Sequence, residues 1–269
     1  MNWNSPDYGA SASYSNTARD FTVSGIGYAP YHIEQVMLTA VRHWRNVGPF
    51  RKLNLAVLGY CSRDNDDVAH AYYSTAATLS GSASFPNNWA FGGFAKQDWQ
   101  YDYVLDPPLD SVFYYPSPSY WFWGQTDASR PLTAYLSASY NPKGYNYVRH
   151  YFGSGLYLNA TLGWRPNPAL KFDADINDVV EFDTLQRVAQ MNWVIDPAIN
   201  YAITRDLQIR LSGEAVPAYD FGRINVLLSW NLSPKSWFYV AWNESRTLEP
   251  GLPLIERIGV VKLRYLFYF

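Results

Sequence analysis

Along much of the chain apolar and polar residues alternate with a period of two, the pattern of a β-strand that shows unlike surfaces on its two sides. Over residues 207–216, Leu207, Ile209, Leu211, Gly213 and Ala215 fall on one face, and Gln208, Arg210, Ser212 and Glu214 on the other. Over 170–177 the segregation is complete, with Leu170, Phe172, Ala174 and Ile176 opposing Lys171, Asp173, Asp175 and Asn177. The same alternation runs through 132–140, 156–164 and 224–233, the last broken by Leu227. Residues 190–204 also alternate but contain Pro197, for which an edge-like kink or a bulge is the expected accommodation.

The connectors alternate in kind. Short breaks fall at 46–49, 85–88, 127–130, 165–168, 204–206 and 233–236, and longer ones at 17–30, 63–67, 104–119, 141–149, 179–185, 218–222 and 247–255. Short turns at one rim and long loops at the other are what a transmembrane β-barrel requires. The pattern predicts an all-β, antiparallel transmembrane barrel of about fourteen strands in one domain, residues 1–269, with short periplasmic turns, external loops and both termini at the periplasmic rim. Twelve or sixteen strands fit the same pattern, because the first two, near 7–14 and 31–45, alternate least regularly. Pro107, Pro108, Pro116 and Pro118 predict that 104–119 does not pair as a strand. Its Phe113, Tyr114 and Tyr115 would then be free to meet a glycan, a lid or a protein partner, or simply fold over the external mouth.

Composition supports the membrane side of this reading. Aromatic residues make up 18% of the chain and charged ones only 16%, against about 25% in an ordinary soluble domain. A mean hydropathy of -0.25 suits a barrel, in which only one face of each strand meets lipid. No apolar run reaches about 18 residues, so a spanning helix is not expected and a barrel is the remaining way to cross. A soluble β-sandwich also alternates, but its outer faces are usually blunted with charge.

A net charge of -2 offers no basic footprint for nucleic acid, which is excluded as a partner. Cys61 is the sole cysteine, so neither a disulfide framework nor a cysteine metal site is expected, and it reads as a small apolar residue. His32, His43, His70 and His150 lack ligand spacing, and no metal or cofactor is expected.

The chain ends on an apolar stripe of Gly259, Val261, Leu263, Tyr265, Phe267 and Phe269, with Lys262 and Arg264 on the opposite side. Leu263, Tyr265, Phe267 and Phe269 resemble the C-terminal signal read by the barrel-insertion machinery. Residues 1–6 show no basic stretch followed by an apolar core. Export needs such a leader, so a mature chain or the C-terminal part of a longer precursor is expected.

Several motifs resemble the C-terminal barrel of a poorly characterised outer-membrane family whose full-length members carry an N-terminal family-9-like carbohydrate-binding module. They are residues 21–28 (FTVSGIGY), 126–132 (TDASRPL), 199–209, 226–230, 234–242 (PKSWFYVAW) and 261–267 (VKLRYLF). The resemblance implies a membrane barrel. It gives no carbohydrate-binding residue here, since the module and the earlier barrel segments of that family have no counterpart in this sequence.

A barrel with a water-facing interior would place Lys171, Asp173, Asp175, Gln208, Arg210, Glu214, Lys262 and Arg264 on its lumen wall, where they could set charge selectivity. Asp173 and Asp175, with Glu181 and Asp183 nearby, could also be read as the carboxylate pair of a glycosidase, but a polar wall accounts for them without further assumption. No nucleophile motif marks any serine, so no catalytic residue is assigned and an enzyme is not expected. The expected role is an integral protein of the Gram-negative outer membrane, a porin-like pore or docking barrel for solutes, glycan-derived ones included. The alternatives are a non-conducting anchor or subunit of a larger outer-membrane complex, and an outer-membrane hydrolase. Expected partners are outer-membrane lipid, the insertion machinery, and other envelope proteins or glycans.

Overall fold

The computed structural model describes residues 2–16, 33–64, 74–103, 112–146 and 151–266. They form one antiparallel sheet whose strands neighbour one another in chain order. Fourteen strands have nine residues or more, and a three-residue strand, β1 (Asn2–Asn4), precedes them. Contacts divide the chain into two compact units, residues 1–124 with 139–155, and residues 125–138 with 156–269.

The first unit holds β1, β2 (Tyr8–Asn16), β3 (Ile33–Val47), β4 (Phe50–Asp64), β5 (Ser74–Ser84), β6 (Ala90–Tyr103) and most of β7 (Val112–Gln125). The second holds β10 (Leu170–Phe182), β11 (Val188–Ala202), β12 (Leu207–Val216), β13 (Phe221–Ser233), β14 (Ser236–Thr247) and β15 (Leu254–Arg264). Strands β8 (Leu132–Asn146) and β9 (Tyr151–Asn167) are divided between the two.

The short connectors are tight because local side chains satisfy the backbone donors that a reversal leaves without partners. Asn167 Oδ1 accepts from the amides of Ala169 and Leu170 at 2.9 and 3.0 Å, and Thr204 Oγ1 from Asp206 and Leu207 at 3.2 and 3.0 Å. Asp127 Oδ1 accepts from the Ser129 amide at 2.9 Å. The β3–β4 turn uses Asn46 and Gly48 at φ of 53° and 56°, the left-handed region that these two residue types enter most readily.

The two faces differ as the alternation predicts. On the apolar face of the first unit Val57 and Phe122 are more than half exposed, as are Leu132, Leu136, Ile224 and Val261 on that of the second. Among the described residues the buried apolar side chains are Ala76, Ala83, Tyr115, Val180 and Val216, two of them alanines. A soluble sandwich packs two sheets over a thick apolar core, whereas here the described strands share one sheet and many of its large apolar side chains are exposed.

Several expectations change. Pro116 and Pro118 lie inside β7 and not in a loop. Two residues apart, they aim their missing amides toward the same lateral side, so the ladder loses bonds on that side only. Ser117 between them donates its hydroxyl to the Lys143 carbonyl at 3.1 Å. The rest of that predicted loop, residues 104–111, lies outside the described residues, as do 17–30 and 65–67. Residues 141–146, expected as loop, continue β8, and 179–182 continue β10. Pro197 causes no bulge: Ile195↔Ala215 and Ala198↔Ser212 keep one register on either side of it. Gly213 lies beside the Pro197 ring, where even a Cβ would make only ordinary contact at 3.5 Å, so the ring is accommodated without crowding. Both weakly patterned early strands are present as β2 and β3, and β1 was not anticipated.

Candidate functional site

In the second unit the strand registers line the polar residues up into rows. Lys171 faces Asn200, which faces Arg210, which faces Leu227. Nearer the long connectors, Asp175 faces Asp196, and the β11–β12 register sets Asp196 opposite Glu214, which faces Arg223. Between these rows Asp173 faces Ala198, which faces Ser212. Toward the short turns Gln208 faces Ser229, Ser229 faces Tyr239, and Tyr239 faces Lys262. The polar face therefore carries a cationic tier and an acidic tier four residues apart on β10 and again on β12. At 3.3 Å per residue the separation is about 13 Å.

All eight sequence-predicted lumen residues lie on this face. The two outer pairs, Lys262 with Arg264 on β15 and Lys171 with Asp173 on β10, are four strands or more apart along the sheet order. Arg264 faces Trp237, whose ring stacks on Tyr239 with centroids 6.0 Å apart and planes 12° from parallel.

Part of the charge is compensated within the face. Lys171 Nζ is 2.8 Å from Asp173 Oδ1, and Asn200 Nδ2 donates to Asp173 Oδ2 at 3.4 Å. Arg223 reaches Glu214 at 3.6 Å and donates to Ser245 Oγ at 3.4 Å. Asp175 and Asp196 stand directly opposite one another, an arrangement that destabilises a sheet unless solvent or a counter-ion screens it. Asp173 is closely paired with Lys171, and among the described residues no cluster of His, Cys, Asp or Glu could hold a metal ion.

The insertion-signal residues divide. Leu263 lies on the apolar face opposite Phe238, Tyr265 follows the end of β15, and Phe267 and Phe269 lie outside the described residues. The terminal segment is held by Ser236, fully buried, whose hydroxyl accepts from the Leu266 amide at 3.1 Å. Cys61 is a free thiol on the apolar face opposite Val36.

The first unit's polar face is built differently. His43 Nδ1 meets Asn54 Oδ1 at 2.7 Å, and Asn54 Nδ2 donates to Ser82 Oγ at 2.9 Å. Lys96 pairs with the buried Asp98 at 2.6 Å and lies 5.6 Å from the centre of the Tyr60 ring. Phe94, Trp121 and Trp123 pack in sequence, with centroids 5.6 and 6.3 Å apart. Gly92 makes room for them, and Gly93, on the opposite face, for the close approach of the next strand's backbone. A Cβ on Gly92 would come within 2.9 Å of Trp123 Nε1, and one on Gly93 would meet the Trp121 carbonyl. On the apolar side of this unit, a groove of about 590 Å³ between Trp3, Leu38 and Val57 is floored by Ala10, Ala12, Ala40 and Gly59 and brings no chemistry.

Sequence reasoning put Asn200 on the polar face without singling it out and took Arg165 for part of a short turn, whereas Arg165 lies within β9 and both help line a concavity on the second unit's polar face; the aromatic cluster of the first unit it missed. Period-two reading assigns rings to the apolar face by default, so polar-side aromatics give no signal of their own. No protein-family model matches the sequence, and no curated protein matches it.

Proposed function

We propose that this chain is an outer-membrane β-barrel whose polar face lines a path for polar solutes. The observation that supports the reading is the division of the faces. Leaving one large apolar side chain in water forgoes about 1.5–3 kcal/mol, and the apolar face of each unit exposes many of them. Lipid removes that cost. On the opposite face, charged residues that would be expensive in lipid require water. In this reading the sheet closes on itself, because an open edge cannot be satisfied in hydrocarbon, and the ionic rows of the second unit face the aqueous interior. The C-terminal stripe serves recognition by the insertion machinery.

The test is single-channel recording with the full chain in planar bilayers. Stepwise conductance with a preference between anions and cations is expected. A chain that inserts and never conducts, at any voltage or salt concentration, overturns the pore.

A second reading, an anchor or subunit of a larger envelope complex, draws support from β15, where all eleven residues are exposed. Exposure along a strand at the end of the sheet order suits lateral contact with another protein. Purification in mild detergent decides: co-purification of a stoichiometric partner supports it, and a chain that always runs alone overturns it.

A further inference from the structure

At the short-turn end of the second unit, the polar face encloses a concavity of about 570 Å³. Arg165, Lys171 and Arg210 line it together with Asn200, Gln208 and Ser229, so every charged group on its wall is a cation. Lys171 is balanced by Asp173. Arg165 and Arg210 make no side-chain hydrogen bond or ion pair with any described residue. The acidic tier of Asp175, Asp196 and Glu214 is about 13 Å further along the strands. That exceeds the screening length of about 8 Å in physiological salt, so it does not neutralise the two guanidinium groups. The space falls within the roughly 300–1,000 Å³ of ordinary small-ligand pockets.

We propose that this concavity is a binding site for a multivalent oxyanion, a solute bearing several carboxylates or phosphates. Arg165 and Arg210 present planar forks that match either group with two parallel hydrogen bonds. The amides of Asn200 and Gln208 and the hydroxyl of Ser229 donate to the remaining oxygens. Arg165 on β9 and Arg210 on β12 stand at the two sides of the wall, with Lys171, already paired with Asp173, and the neutral donor Asn200 on the two strands between them, so the two uncompensated cations hold two anionic groups of one solute at once. The assignment rests on the reading of this face as solute-facing and adds the charge and class of the solute.

Calorimetric titration of the full chain in non-ionic detergent tests it, with trigalacturonate, tripolyphosphate and neutral maltotriose as probes. At least one anion is expected to bind and maltotriose is not. Trigalacturonate alone identifies a carboxylated sugar, and tripolyphosphate alone a phosphate ligand. In the Arg165→Gln, Arg210→Gln double variant the Kd of the bound anion is expected to rise about tenfold or more, as loss of charged hydrogen bonds predicts. A second measurement needs no variant: raising NaCl from about 50 mM to about 500 mM is expected to weaken the anion by a similar factor. Failure of both anions, equal binding of maltotriose, or affinity indifferent to salt and to the double variant overturns the assignment. Because the readout is binding in micelles, a chain that binds the anion and never conducts overturns the pore and leaves this site standing. A conducting chain that ignores both anions does the reverse.

Discussion

The polar faces of the two units are made of similar residue types and differ in how their middle stretches are organised, although toward its short turn the first also sets two cations, Arg45 and Lys52, opposite one another. In the first unit, His43, Asn54 and Ser82 satisfy one another, Asp98 is buried against Lys96, and the rings of Phe94, Trp121 and Trp123 pack together beside Gly92. In the second, Arg210 and Arg165 point into a concavity without a carboxylate, and Asp175 confronts Asp196. A wall that satisfies itself contributes stability. A wall with charge left over retains electrostatic free energy for something that is not part of the chain. The lesson is that a polar strand face is not one kind of surface, and that partner accounting, residue by residue, separates its kinds.

The sharpest attack on this contrast is Gly92→Val in the first unit. The added side chain would meet the Gly81 carbonyl at 2.7 Å and the Trp123 ring at 2.9 Å, neither with room to step aside, and a loss of about 3 kcal/mol or outright failure to fold is expected. Urea unfolding followed by tryptophan fluorescence measures it. Asn54→Ala cuts the His43–Asn54–Ser82 chain at its centre and is expected to cost about 1–2 kcal/mol by the same assay, with no change in ion preference. Gly163→Ala is the counterpart in the second unit. Its methyl group would press on the Thr133 hydroxyl, which gives up its hydrogen bond to the Gly163 carbonyl as it turns away, and the expected cost is about 1–2 kcal/mol. Arg210→Glu should leave the urea midpoint nearly unchanged, within about 0.5 kcal/mol, because no described partner is lost. It should nonetheless move the reversal potential in a salt gradient toward cation preference. A large stability loss for Arg210→Glu, or a selectivity change for Asn54→Ala, would erase the distinction between the two faces.

Much of this architecture was readable beforehand because a strand's period of two is fixed by backbone geometry. Leu207 to Ala215 and Leu170 to Ile176 fall on the apolar face position by position, and Lys171, Asp173, Asp175, Gln208, Arg210 and Glu214 on the polar one. What escaped has physical reasons. Pro116 and Pro118 read as a break, yet proline φ is compatible with a strand, and only one side of the ladder suffers. Asn141 to Asn146 look like loop because Asn, Pro, Lys and Gly favour turns, but the strand continues through them. Pairing is a property of two segments, and no single segment displays it. The concavity was illegible for the same reason: Arg165, Lys171 and Arg210 come from three strands, and register alone brings them to one wall.

The two tiers of opposite charge on the second unit's face also give that face a direction. If the face lines a conducting path as proposed, a cationic tier followed about 13 Å later by one in which Asp175, Asp196 and Glu214 outnumber Arg223 would be the electrostatic analogue of a semiconductor junction. Mobile anions would gather at one tier and mobile cations at the other. A voltage of one sign would sweep both populations toward the boundary between the tiers, while the reverse sign would deplete it. Current through such a path would rectify, with a direction written in the four-residue spacing from Lys171 to Asp175 and from Arg210 to Glu214.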